Sequence, residues 1–244
     1  MRFQRSGIAA LLTTLTCTAV LAADDISGVA LGSSLAAAKE AIAEANPNFK
    51  FSPLMLRNGK EAGVTAVTAD RLKGTGTTNS GGPSDEFAAL QNESGKVWFI
   101  ARAQRFEDGS RIKTEALKAA LTEKFGKPSS ITQMMMLGLD WQYDRDGKQY
   151  FGPTSAGPCK DVSFDSSDIP GVSVPAPQSF SPTCGKFILV GASEQSDGMV
   201  PHYTVSIIDA KSMFDELTAR DAKAEADRSK KLSDEQAKNV KPKI

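Results

Sequence analysis

The first half of the chain opens with a segment of helical periodicity. Apolar residues recur there every three or four positions, and Lys39, Glu40 and Glu44 occupy the opposite face. Ser33 or Ser34 can cap the helix, and Asn46-Pro47 ends it. The apolar face consists of Leu35, Ala38, Ala41, Ile42 and Ala45.

A second helix of the same kind follows later in the chain. Thr114 can cap it, and Gly126 followed by Pro128 ends it, because glycine adopts the left-handed cap and proline cannot continue the turn. Its apolar face consists of Leu117, Ala120, Leu121 and Phe125. Lys39 and Lys118 hold matching places in the two helices, 79 residues apart. This spacing predicts two tandem helix-plus-strands repeats, over residues 24–110 and 111–217.

After each helix the hydrophobic period changes to two, which is the period of a strand. Phe49 to Leu56 and Gly63 to Thr68 flank Asn58-Gly59, a pair typical of a hairpin turn. Val97 to Ala101 is apolar on both faces, as a central strand would be. Further strands are predicted at Ile131 to Leu137, Leu139 to Tyr143, Phe187 to Val190 and Tyr203 to Ile208. The pattern predicts an α+β fold: an antiparallel sheet with the helices packed on one face.

Two polar segments interrupt this pattern and are predicted to be loops. Residues 74–85 are rich in glycine, serine and threonine, and residues 166–183 are rich in serine and proline. Loops of this length often carry binding function.

The C-terminus begins as a packed helix and then becomes highly charged. Asp209 can cap the helix, and Met213, Phe214 and Leu217 form one apolar turn. Residues 218–244 are predicted to be a charged tail, helical or disordered, since large apolar residues are sparse there. The alternative is a partner-binding amphipathic helix, which needs a continuous apolar stripe.

The N-terminus has the pattern of a secretory signal peptide. Arg2 and Arg5 precede the apolar run from Ile8 to Leu21, and Ala22-Ala23 provides the small residues of a cleavage site. The run is short for a permanent membrane anchor, and Cys17 lacks the small preceding residue of a lipidated cysteine. Residues 1–23 are therefore predicted to be removed. The mature chain is expected to be periplasmic or secreted, with no transmembrane segment.

Cleavage at this place leaves two cysteines, Cys159 and Cys184. In an oxidising compartment such a pair is expected to form one disulfide. A metal or redox pair is the alternative, but the spacing matches neither a CxxC motif nor a zinc pattern. The disulfide would close a loop of 26 residues, from 159 through 184.

Charge and composition narrow the function classes. The 29 basic residues equal the 29 acidic ones, whereas a nucleic-acid-binding protein needs a basic excess for phosphate contacts. His202 is the only histidine, which disfavours most zinc sites and most histidine-based catalysis. We therefore expect no metal, no cofactor and no nucleic-acid partner.

Candidate catalytic motifs are incomplete. Gly74-Thr75-Gly76 lacks the third glycine and the strand–helix setting of a phosphate-binding loop. Asp140, Asp144 and Asp146 precede Gly147, but the order of a calcium loop is broken. A catalytic His202 would need a nucleophile and an orienting carboxylate, which a sequence cannot show. A pair of carboxylates for glycan hydrolysis likewise depends on three-dimensional separation.

The large aromatic residues are candidates for either core or recognition. Trp98 lies in the strand that is apolar on both faces and is predicted to be core. Trp141 and Tyr143 share one strand face, so they either pack under the helix of their own repeat or present an interaction surface. If that face is open, it is the predicted interaction face.

The second repeat carries a family resemblance. A helix, then Phe125-Gly126-Lys127-Pro128, a strand, Trp141-Gln142-Tyr143 and a turn at Asp146-Gly147 resemble the small outer-membrane assembly lipoproteins of the SmpA/OmlA type. The same layout is similar to the tandem repeats of β-lactamase inhibitory protein. The resemblance covers residues 112–150, with an echo at 28–60. It implies binding or scaffolding in the cell envelope and no catalytic residues.

Three functions are compatible with these observations. The first is a non-catalytic envelope protein that binds another protein, with an inhibitor or immunity protein against a secreted enzyme as a variant. The second is a hydrolase that acts on envelope polymer, which predicts two acids in one cleft with perturbed pKa values. The third is a small-ligand carrier, which predicts a cavity between sheet and helices. The missing catalytic motifs favour the first.

Overall fold

The computed structural model describes residues 24–74, 81–133 and 136–238. The predicted signal peptide (1–23), half of the predicted loop at 74–85 and the end of the predicted tail lie outside these residues. The helices are α1 (Leu35–Ala45), α2 (Thr114–Phe125) and α3 (Ala210–Ala237), and a 3₁₀ turn spans Thr154–Ala156. The strands are β1 (Asp25–Ile26), β2 (Val29–Ala30), β3 (Lys50–Met55), β4 (Glu61–Val67), β5 (Arg71–Leu72), β6 (Gly82–Pro83), β7 (Asp85–Gln91), β8 (Val97–Arg105), β9 (Ile112–Lys113), β10 (Ser130–Gln133), β11 (Leu137–Asp144), β12 (Gln149–Tyr150), β13 (Ser163–Asp168), β14 (Pro175–Ser179), β15 (Cys184–Ser193), β16 (Met199–Val200) and β17 (His202–Asp209).

The ends of the helices are set by local side-chain chemistry. Ser34 caps α1 by accepting a hydrogen bond from the Ala37 amide at 3.2 Å, as the sequence predicts. Asp209 caps α3 by accepting from the Ser212 amide at 3.0 Å. The predicted Thr114 cap is wrong: α2 begins at Thr114 itself, whose hydroxyl donates to the Gly198 carbonyl at 3.0 Å.

The main sheet has nine antiparallel strands in the described part of the chain. The strand order is β10-β11-β15-β17-β8-β7-β4-β3, and β12 pairs with β11 beside β10. Strands that follow α1 occupy one half of the sheet, strands that follow α2 occupy the other, and β8 and β17 join the halves. The predicted α+β class with an antiparallel sheet is confirmed.

The two sheet faces are covered by different elements. The first face packs against α1, α2 and the β1–β2 hairpin, whose Ile26 and Val29 are buried over the central strands. The second face packs against the segment between β12 and β15 and against the start of α3, including Ala210 and Met213. The helices α1 and α2 therefore lie on one face, and a hairpin rather than a third helix fills the space between them.

Two strand regions differ from the sequence prediction. The predicted loop at 166–183 contains most of the β13–β14 hairpin, which lies over the second face of the sheet. The strand β7 is central between β4 and β8, although no strand was predicted there. Its first residues, Asp85 and Glu86, are buried despite their charge. Arginines of β8 compensate these charges, as described below.

Candidate functional site

Trp141 and Tyr143 are both buried: Trp141 packs under α2, and Tyr143 lies under the Lys186 ammonium, 4.4 Å from its ring centroid. Trp141 is fully buried, and its ring packs edge-on against Phe125 with 5.5 Å between the ring centroids. Its Nε1 donates to the Gly126 carbonyl at 2.9 Å. Tyr143 is 8% exposed, and burial raises the pKa of its hydroxyl. Of the two alternatives that the sequence left open for these residues, the structure has the core one.

The Sγ atoms of Cys159 and Cys184 lie 1.98 Å apart, which is the length of a disulfide bond. Both cysteines are buried under the second face of the sheet. The bond joins the segment that covers this face to the first residue of β15. It therefore closes the base of the chain segment that contains the β13–β14 hairpin.

His202 lies at the start of β17, opposite Arg105 of β8 and Ser193 of β15. Its Nε2 and the Ser193 hydroxyl are buried and have no hydrogen-bond partner among the described residues. Burial, with a contribution from the Arg105 guanidinium, lowers the pKa of His202 to about 4. The residue opposite His202 on β8 is thus a cation, whereas a catalytic histidine is oriented by a carboxylate.

Two carboxyl groups of the described residues, those of Asp25 and Asp70, have a pKa below the ordinary value. Burial raises the pKa of Asp25, but hydrogen bonds from Lys124 and Gly28 outweigh it and lower the pKa overall. Hydrogen bonds from Ser84 and Thr68 lower the pKa of Asp70. A general acid needs the opposite shift.

The aspartates near Gly147 act as turn residues. Asp144 Oδ1 accepts from the amides of Asp146 at 3.0 Å and Lys148 at 2.9 Å, which is turn chemistry. Within residues 24–74, 81–133 and 136–238, no three His, Cys, Asp or Glu side chains are grouped as metal ligands. Most of the Gly74-Thr75-Gly76 motif lies outside the described residues.

Two buried ion pairs connect β7 to β8, and neither is evident from the sequence pattern. Asp85 accepts from Arg102 Nε at 2.9 Å and Nη2 at 2.6 Å on the first face of the sheet. Glu86 accepts from Arg105 on the second face, where both side chains are almost fully buried. Glu86 also accepts from the amide and, at 3.2 Å, the hydroxyl of Ser173. This second pair fastens the turn of the β13–β14 hairpin to the sheet.

A depression of about 460 Å³ lies where β2, the β11–β12 turn and the start of α3 meet. Its charged groups are largely bonded to one another or to the backbone. Lys186 pairs with Asp24, Lys211 donates to the Arg145 carbonyl at 3.1 Å, and Asp209 caps α3.

The strongest candidate is an apolar groove on the second face, which we call the β3 groove. Its first part, about 440 Å³, lies between the end of β3 and the β13–β14 hairpin. Its second part, about 220 Å³, lies between the β3–β4 hairpin and α3. Leu56, Ala62 and Leu90 line both parts. Other apolar lining residues are Pro53, Leu54, Met55, Trp98, Ile169, Pro170, Ala176, Met213 and Leu217.

The β3 groove displays two adjacent large apolar residues to solvent. Met55 is 57% exposed and Leu56 is 50% exposed. Met55 ends β3, an edge strand, and Leu56 begins the turn that Asn58-Gly59 completes. Adjacent exposed apolar side chains beside a preformed depression are typical of a protein interaction site. The hydrophobic period of two predicts the strand β3, but it does not show that Met55 and Leu56 at the end of this strand stay exposed.

None of the helices in the described ranges is both long and apolar enough to span a membrane. No protein-family model, curated protein or solved structure matches this chain significantly.

Proposed function

We propose that this protein is an exported, non-catalytic module that binds another protein of the cell envelope through the β3 groove. The observation that carries the proposal is the exposure of Met55 and Leu56 beside two adjoining apolar depressions. Binding would remove this apolar surface from water, which is the main favourable contribution in most protein association. The groove takes the place of Trp141 and Tyr143 as the interaction surface.

The charges along the groove indicate what kind of segment fits it. Four acidic residues and two basic residues line its described part: Glu61, Glu93, Asp168, Glu216, Lys60 and Arg220. Lys39 neutralises Glu61 at 2.8 Å, and the Lys60 ammonium donates to a backbone carbonyl. Lys60 keeps its charge in that bond, so three unneutralised carboxylates remain against two cations in the groove, and this acidic excess favours an apolar partner segment that is flanked by lysine or arginine.

Export and the internal repeat are part of the same proposal. The pattern of residues 1–23 and the bonded pair Cys159–Cys184 both support delivery to an oxidising compartment, the periplasm or the cell exterior.

The order of the strands in the main sheet supports a duplicated unit, because each of α1 and α2 is followed by four strands that are neighbours in the sheet. A scaffold of this kind would hold the groove rigidly for its partner.

Capture from an envelope extract, compared between matched variants, tests the proposal. Leu56→Asp is expected to weaken capture of the partner at least tenfold. Ile131→Asp is the control, because Ile131 is similarly exposed, at 54%, but lies on the strand at the opposite edge of the sheet. Glu93→Lys should weaken capture through charge, while Glu123→Lys, on α2, should not.

Three results would contradict the proposal. The first is a partner whose capture resists Leu56→Asp or is reduced equally by Ile131→Asp. The second is an occupant that proves to be a second copy of this chain. The third is the absence of any captured protein after crosslinking, with all variants shown to be folded by circular dichroism.

A further inference from the structure

The first face of the sheet holds a cavity that is separate from the β3 groove. It lies between α2, the β1–β2 hairpin and the central strands β8 and β17, and its volume is about 240 Å³. This volume is below the range of about 300–1,000 Å³ that is typical of drug-sized ligand sites. A ligand that fills it must be small. The lining residues are Ile26, Ser27, Arg102, Leu117, Ala120, Leu121, Lys124, Phe125, Tyr203 and Val205.

The charged groups that line the described part of this cavity are both cations, Arg102 and Lys124. Their carboxylate partners belong to residues outside the lining. Arg102 bonds Asp85, and Lys124 Nζ bonds Asp25 Oδ1 at 2.9 Å. The lining therefore includes the positive member of each ion pair and not the negative one.

Both cations keep donors that these bonds do not use. A guanidinium has five N–H groups and an ammonium has three. Arg102 donates three of its N–H groups, two to Asp85 and one to the Ser27 hydroxyl at 2.6 Å. Lys124 donates one of its N–H groups to Asp25. A bound anion can therefore accept from Arg102 and Lys124 without breaking the ion pairs that hold them. Charge-assisted bonds of this kind are about twice as strong as neutral ones.

The rest of the wall is apolar. Leu117, Leu121 and Phe125 of α2 line it together with Val205 of β17 and Ile26 of β1. The Tyr203 hydroxyl already donates its proton to Gln104, so a bound anion would accept from the two cations instead. An anion with an apolar body matches this division between a cationic end and an apolar wall.

We propose that this cavity binds a small carboxylate with an apolar body, its carboxylate held by Arg102 and Lys124 and its apolar part packed on Leu117, Leu121 and Phe125. The site is independent of the β3 groove, which lies on the opposite face of the sheet. Binding a small acid there is thus an additional activity of this protein.

Phenylacetate and hexanoate are suitable probes, with phenylacetamide as the neutral control. Binding is followed by two-dimensional NMR of the two tryptophan indoles in the full protein. Trp141 packs against Phe125 of the cavity wall, whereas Trp98 lies on the second face. The carboxylates should shift the Trp141 indole signal and leave the Trp98 signal in place. Phenylacetamide should bind at least tenfold more weakly.

Matched lysine variants of α2 test the charge. Lys124→Met should weaken phenylacetate binding about tenfold, while Lys118→Met, which removes a lysine that pairs with Glu115 on the same helix, should not change it. The proposal is overturned if phenylacetate and hexanoate fail to bind at millimolar concentration. It is also overturned if acid and amide bind equally, or if both lysine variants have the same effect. Leu56→Asp should leave phenylacetate binding unchanged, because Leu56 lies in the β3 groove. This variant therefore distinguishes a failure of the acid site from a failure of the protein-binding function proposed for the groove.

Discussion

Individual side chains show how this sheet tolerates charge in its interior. Asp85 and Glu86 begin a central strand, and each is compensated by an arginine of the neighbouring strand on its own face of the sheet. Removing one partner of such a buried pair usually costs 3–5 kcal/mol, because the other charge is left uncompensated. His202 lies beside Arg105 and is held neutral by burial. This neutral imidazole makes the stability of the fold depend on pH.

We predict that stability falls as the pH drops from about 6.5 towards 4. The unfolded chain protonates His202 near its ordinary pKa of 6.5, whereas the folded chain does so only near 4. The unfolded state binds more protons in this window, so stability is lost as the pH falls. At about 1.4 kcal/mol per pKa unit the loss is about 3 kcal/mol at most.

Urea unfolding at pH 7.5, 6.5 and 5.5 measures this effect. His202→Gln should flatten the dependence over this range, since His202 is the only histidine in the chain. An equally steep dependence in both proteins would disprove the assignment to His202.

Among the elements, α3 changes character along its length. Its first two turns pack on the sheet through Ala210 and Met213, and Arg145 holds Asp215 at 2.7 Å. From position 218 to 238 the described residues are exposed. This part of the helix is stabilised by its own backbone hydrogen bonds and by local ion pairs such as Arg228–Glu225. Isolated pairs of this kind contribute little to stability.

Deletion of residues 221–244 is therefore expected to shift the melting temperature by no more than about 2–4 °C. Deletion from Ala210 onward should lower it much more, because the apolar cover of the second face is lost. Differential scanning calorimetry of both truncated proteins checks this. A large shift with the shorter deletion would mean that the charged half of α3 packs on the body.

In the whole molecule, one sheet separates two cores that are covered by unlike layers. The helices α1 and α2 with the β1–β2 hairpin cover the first face, and an irregular segment with one hairpin covers the second together with the start of α3. Such a segment has fewer backbone bonds of its own than a helix, so its position depends on cross-links. The disulfide anchors its end and the Glu86–Ser173 contact anchors its turn. Because its hairpin forms one wall of the β3 groove, these cross-links also shape the groove.

Replacing both Cys159 and Cys184 by alanine should lower the free energy of unfolding by about 3.5 kcal/mol, which is the chain-entropy estimate for a loop of 26 residues. It should also weaken partner capture through the groove. Urea unfolding of the variant and of the oxidised protein gives the difference. Thiol titration of the denatured, exported protein is the independent check, and two free thiols would exclude the bond.

Short-range chemistry made much of the fold predictable. Ser34 and Asn46 bound α1, Gly126 stops α2, and Asn58-Gly59 turns the first hairpin, because capping and turn preferences depend on a few neighbouring residues. The strand β7 escaped prediction because its charges are stabilised by partners outside its own segment. For Trp141 and Tyr143 the sequence left core and interaction face open, since periodicity places residues on a face without saying what covers that face.

The sequence by itself determined the α+β class, the ends of α1, the start of α3 and the candidate cysteine pair, since these depend on local propensity, periodicity and count. Only the tertiary structure decided which surfaces are covered. Glu86 meets Ser173 across 87 positions of sequence, and Lys124 meets Asp25 across 99. Contacts between such distant residues bury Trp141, leave Leu56 exposed and turn two cations towards one cavity. The physical reason is that burial and charge compensation depend on the assembled layers and not on any single segment.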